Sequence, residues 1–185
     1  MLSLIKRDGA VFDAWKVLTL AENESAATVA LPVGPLLVPV QVWHARRREL
    51  IEREYAHGWP LGVWLAAGES PRAIAGDVDD FSVIAVHFPR ATDGRGCFSA
   101  RLLRGRYGYR GELHAFGEVL REQVFYLKRS GFDAYTLRSE QAALVPVDGA
   151  DAFDQAHRPA VAQPLRLVPR CPQSGLPRFD TVRAA

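Results

Sequence analysis

The sequence predicts an α/β fold, with repeated βα units carrying a mainly parallel sheet of about five strands. Three observations lead there. Short apolar runs of strand length recur at 37–43, 61–67, 82–88, 112–116 and 134–137. Segments with apolar residues at helical spacing lie between them. Helix-boundary residues, Ser70-Pro71, Gly108 and Gly131, punctuate the alternation. Strands buried on both faces read as continuous apolar runs, and a parallel sheet needs such crossovers. Five strands fit an open doubly wound sheet better than a closed eight-stranded barrel, with a partial barrel as the alternative.

In chain order, a short N-terminal β-hairpin is expected from strands at 3–5 and 14–20 around a turn at Asp8-Gly9. Residues 44–55 read as the first helix, with Trp43, Leu50 and Ile51 at helical spacing and the i,i+4 pairs Arg48–Glu52 and Glu49–Arg53 on its surface. Ser70 as N-cap and Pro71 in the first turn open a second helix, with Ile74, Val78 and Phe81 on one stripe. Residues 99–107 form a short helix stopped at Gly108. Residues 118–130 form the clearest one, with Leu120, Val124 and Leu127 on one face and Gly131 as its stop. A further helix starts at 139–144. From residue 158 the chain carries Pro159, Pro164, Pro169, Pro172 and Pro177 among scattered arginines, with no core-forming period. The expected organisation is one α/β domain over 1–157 and a Pro/Arg-rich tail over 158–185.

The 185 residues, 48% hydrophobic and 24% charged, exclude a largely disordered or collagen-like chain. Cys97 and Cys171 lie far apart, too few for a cysteine-ligated zinc or iron–sulfur site or for a disulfide-stapled scaffold. The five histidines, at 44, 57, 87, 114 and 157, have no metal-ligand spacing, so no metal is expected. His87 and His114 fall in strand runs and can approach each other across adjacent strands. The most apolar segment, 29–43, is interrupted by Pro32, Pro35 and Pro39 and is too short for a membrane helix. The expectation is a soluble, cytoplasmic protein with no membrane partner. The net charge of +2 is unevenly placed: residues 90–138 hold ten Lys/Arg against five Asp/Glu, leaving −3 on the remainder. Such a basic segment suggests an anionic ligand or an acidic partner surface. Nucleic acid is not expected, because no interleaved aromatic motif accompanies the charge.

The loop after the third strand run is where chemistry is expected. It reads Pro89-Arg-Ala-Thr-Asp93-Gly-Arg95-Gly-Cys97-Phe-Ser99. Gly94 and Gly96 allow close backbone approach, and Ser99 is placed to cap the following helix, whose free N–H groups favour an anion. Arg95, Arg101, Arg104 and Arg121 supply positive charge for a phosphate, sulfate, sulfite or carboxylate. Asp93 and Glu118 are the candidate acid/base residues. The same glycines partly mimic a dinucleotide fingerprint, which leaves a flavin or nicotinamide dinucleotide as a possible cofactor although no cofactor motif stands by itself. Cys97, near a helix start and arginines, is a candidate nucleophile or packing residue.

The segments Phe88-Pro89, Thr92-Asp-Gly-Arg-Gly96, Ser99-Ala-Arg-Leu-Leu-Arg104, Gly108-Tyr-Arg-Gly-Glu-Leu113, Gly117-Glu-Val-Leu-Arg-Glu-Gln123 and Gly131-Phe-Asp-Ala-Tyr135 resemble a bacterial family. It is the domain of unknown function nine hundred and thirty-four, commonly labelled an oxidoreductase of sulfite reduction. The specific match runs over about 83–135. Ser130 and Gly105 depart from the pattern, standing where Cys or Arg, and a charged residue, are expected. The family's genes tend to lie beside those of assimilatory sulfate reduction, and its label rests largely on that company. The resemblance implies an accessory or electron-transfer-assisting protein of sulfite reduction, whose partner is the sulfite reductase haem subunit or its electron donor. The alternative expectation is a small oxyanion- or phosphate-binding enzyme or oxidoreductase that uses the 93–99 loop.

Overall fold

Residues 61–65, 83–88 and 112–117 form the centre of one curled sheet, because almost every side chain in these runs is apolar and both faces are covered. The computed structural model describes residues 2–6, 9–11 and 14–138. Within them lie strands β1 (Leu2–Lys6), β2 (Gly9–Val11), β3 (Lys16–Val17), β4 (Leu36–Pro39), β5 (Leu61–Leu65), β6 (Val83–Phe88), β7 (Glu112–Gly117) and β8 (Ala134–Arg138). The helices are α1 (Val40–His57), α2 (Arg95–Gly105) and α3 (Val124–Ser130).

The strand order is β2-β1-β8-β7-β6-β5-β4-β3. From β3 to β8 every pairing is parallel, giving a six-stranded, strongly curled half-barrel. Of the two sheet forms the sequence allows, the partial barrel is the one observed. A doubly wound sheet starts in the middle and reverses direction, whereas here each crossover returns to the next strand along. The strand at 14–20 shrinks to β3 and pairs in parallel with β4 instead of closing a hairpin. The N-terminal hairpin is made by β1 and β2, and β1 joins β8 antiparallel.

The crossovers also differ from the expected helices. The first starts at Val40, four residues early, because Pro39 ends β4 while Val40, Val42 and Trp43 turn into the core from helical positions. On its surface Arg48 pairs with Glu52 at 2.8 Å, but Glu49 pairs with Arg46 at 2.5 Å. Arg53 instead donates to the carbonyls of Pro32 and Gly34. The stripe Ile74, Val78 and Phe81 is buried as expected, yet it sits on two 3-10 turns, Pro71–Ile74 and Val78–Asp80. Asp77 is drawn out of helical geometry and takes the Trp43 indole N–H at 2.9 Å and Arg47 at 2.9 Å. Residues 118–130 likewise divide into a 3-10 turn, Arg121–Gln123, and α3, which Gly131 ends in the left-handed region at φ 105°.

Alternate side chains of β4–β8 meet the helices in one core, which includes Leu36, Val63, Ile84, Val86, Leu113, Trp43 and Leu103. The other sheet face carries a smaller cluster of Leu37, Val83 and Ala85, flanked by Trp15, Trp64 and Phe116. Among the described residues no helix is long and apolar enough to cross a membrane. The helix start at 139–144 and the tail at 158–185 lie outside the described residues.

Candidate functional site

A half-barrel of consecutive strands has no point where the strand order reverses, so the crevice of a doubly wound sheet is absent. Chemistry in folds of this kind belongs to the C-terminal edge of the strands. Here that edge is formed by the turns after β5, β6 and β7. The last two are joined: the Glu118 N–H donates to the Phe88 carbonyl at 2.7 Å, and the Gln123 amide donates to the Ala91 carbonyl.

The 93–99 loop is placed at this edge, and its residues divide by role. Helix α2 begins at Arg95 with Gly94 as its N-cap, so Ser99 is not the cap; it is buried inside the helix. The reason is Asp93. Its carboxylate accepts the Arg95 backbone N–H at 3.1 Å and grips the Arg95 side chain at 2.9 and 2.6 Å. The guanidinium and that N–H hold the Asp93 carboxyl at about 2, against an ordinary 3.8. An anion therefore already occupies this helix start, and it is the chain's own. Gly96 lies under the Phe88 ring, where an added Cβ would come within 2.4 Å of the ring edge. Its service is close packing of α2 on β6.

Arg104 is committed elsewhere. It donates to the carbonyls of Gly131 at 3.0 Å, Tyr109 at 2.9 Å and Gly111 at 2.7 Å, and pairs with Asp133. Arg101 on α2 and Arg121 in the turn before α3 are exposed, as is Glu118. Cys97 is half-buried and packs against the core. Among the described residues no three His, Cys, Asp or Glu side chains gather as a metal site.

Two groupings were not foreseen in the sequence. On the outer surface, Phe98 of α2 and Tyr126 of α3 are 64% and 67% exposed on packed neighbouring helices, with Arg101 and Arg121 on the same two crossovers. Their signal was available: both rings fall off the apolar stripe of their helices. On the sheet face away from α1, α2 and α3, Trp64, His87 and Phe116 come together at the ends of β5, β6 and β7, with ring centroids 5.0–6.2 Å apart. Period-two alternation from Val83 and Ala85 places His87 on that face, but only strand order brings the three rings together. His87 and His114 do lie on adjacent strands, as diagonal neighbours, since Ala85 pairs with His114 and His87 with Phe116. The His114 ring instead bonds Glu112 at 2.8 Å.

The model of a bacterial protein family of unknown function, DUF934, matches residues 62–167, more than half of the chain. No curated protein matches it.

Proposed function

Because the chain belongs to the bacterial family DUF934, we propose that it serves assimilatory sulfite reduction as an accessory protein. In this reading it docks through the outer surface of α2 and α3 on the sulfite reductase haem subunit or its electron donor, and assists electron delivery or assembly. The pathway comes from the resemblance described above. The docking surface is supported by one observation: exposed Phe98 and Tyr126 lie on the same two crossovers as exposed Arg101 and Arg121, in the segment that carries the excess of positive charge. Large aromatic rings and arginines dominate the energetics of protein interfaces. Leaving such rings in water is unfavourable, and a partner with an acidic rim would cover them while matching the charge.

The test is equilibrium binding of the full-length protein to the purified haem subunit and to its donor protein, at low and high ionic strength. Binding to one of them that weakens with salt, and that Phe98→Ala reduces roughly tenfold or more, is the expected result. Absence of binding to both partners, or binding indifferent to salt and to Phe98→Ala, overturns the proposal.

A further inference from the structure

The sheet face away from α1, α2 and α3 carries two histidine rings among the described residues, and they differ. His114 is buried and satisfied by Glu112. His87, nearer the C-terminal edge, is half-exposed, and neither of its ring nitrogens has a hydrogen-bond partner among the described residues. Its two ring nitrogens, one donor and one acceptor in the neutral form, are therefore not used inside the described structure.

The His87 ring is fixed on three sides. The Trp64 ring stands edge-on to both neighbours, 6.2 Å from His87 and 6.0 Å from Phe116, and its indole N–H is anchored on the Leu18 carbonyl at 2.8 Å. Phe116 lies 5.0 Å from His87 on the paired position of β7. Behind the imidazole is Gly117, in the left-handed region at φ 101°. A Cβ there would come within 2.4 Å of the Phe88 carbonyl oxygen and within 2.9 and 3.1 Å of His87 Cδ2 and Nε2. Only glycine both adopts that backbone angle without strain and leaves the space that the imidazole fills.

From this arrangement we propose that Trp64, His87 and Phe116 form a binding site for a flat, uncharged heteroaromatic ring, which packs against the aromatic walls and hydrogen-bonds through its edge to the His87 imidazole. The chemistry of the walls selects the class. Aromatic side chains prefer offset or edge-to-face contact with other rings, so a planar body gains most here. Burial lowers the His87 pKa and keeps the ring neutral, which offers a donor and an acceptor but no charge for a phosphate or carboxylate. Among the described residues no second and third ligand stands beside it for a metal ion. The position, at the C-terminal edge of consecutive parallel strands, is where folds of this geometry place their ligands. Because the site lies on the sheet face opposite the α2–α3 surface, it stands or falls independently of the docking proposal.

The experiment is carbon–proton NMR of the full-length protein, following the His87 Cε1–H signal, assigned by its loss in His87→Gln. Riboflavin, a tricyclic ring without phosphate, and adenosine, a purine, are the probes. A saturable shift of the His87 signal by either probe is expected, with binding, read in His87→Gln from the Trp64 indole N–H signal, weakened roughly tenfold. In Arg95→Ala, which alters the 93–99 loop on the same edge, binding should be unchanged. A His87 signal that neither probe moves overturns the proposal in the wild-type protein alone. Binding that survives His87→Gln at full strength overturns it as well.

Discussion

Arg104 shows how far a residue's role can depart from its charge. It lies in the basic segment, among the arginines expected to face an anion. Its guanidinium instead fans out to three main-chain carbonyls and Asp133, tying the end of α2 to the turns at 109–111 and 131–133. Lysine carries the charge but cannot present the planar fork. Both Arg104→Ala and Arg104→Lys should therefore lower unfolding stability, the former by about 2–4 kcal/mol, with an unchanged slope in a urea titration. A loss within error would show that water replaces these bonds at no cost. Asp93 makes a prediction of opposite character. Its folded pKa is depressed to about 2 by Arg95, so whatever it adds to stability is present above its unfolded value and disappears as the pH falls through about 2. NMR of the carboxyl carbon should give a midpoint near that value in the wild type and a higher one in Arg95→Ala. His87 has the same sign for a different reason. Burial lowers its pKa from 6.5, so the unfolded chain binds the extra proton first and stability falls as the pH drops below about 6.5. His87→Gln should flatten that part of the stability profile; an unchanged slope would assign it to another group.

At the scale of elements, the boundaries moved for identifiable reasons. Helix α2 begins at Arg95 and not at Ser99 because Asp93 supplies the cap from outside, and because Gly96 lets the helix lie against Phe88. Gly96→Ala tests the second part. The added methyl meets the edge of a buried ring, and overpacking of this kind costs about 1–3 kcal/mol. A gain in stability, as expected from helix propensity alone, would mean that Phe88 moves aside freely. The connector at 70–81 kept its apolar stripe but lost its helix. Burial of Ile74, Val78 and Phe81 is met by two short turns, which leave Asp77 in place to receive Trp43 and Arg47. That hydrogen bond spans 34 positions in the chain, and no local pattern announces it.

For the whole molecule, the order of strands decides where stability and function lie. The inner strands β5, β6 and β7 are paired on both sides, while β3 is a two-residue edge with both side chains exposed. Hydrogen exchange should therefore be slowest at Val63, Ile84, Val86 and Ala115 and much faster at Lys16 and Val17. Uniform protection across the sheet would contradict a half-barrel whose edge is this short. The positions of β5 to β8 were legible to within two residues in the sequence, because fully buried strands announce themselves as apolar runs bounded by turns. So was the α/β class, and so were the apolar stripes. Each of these follows from local spacing, the only thing a linear pattern encodes directly. Which strands are neighbours was not legible, since an apolar run is equally at home beside any other. Tertiary structure alone made the sheet a singly wound half-barrel, paired β3 with β4, turned Arg104 inward, and brought Trp64, His87 and Phe116 to one edge. The physical reason is common to all four: pairing and packing are contacts between residues distant in the chain, and their free energy appears only once the sheet has formed around its core.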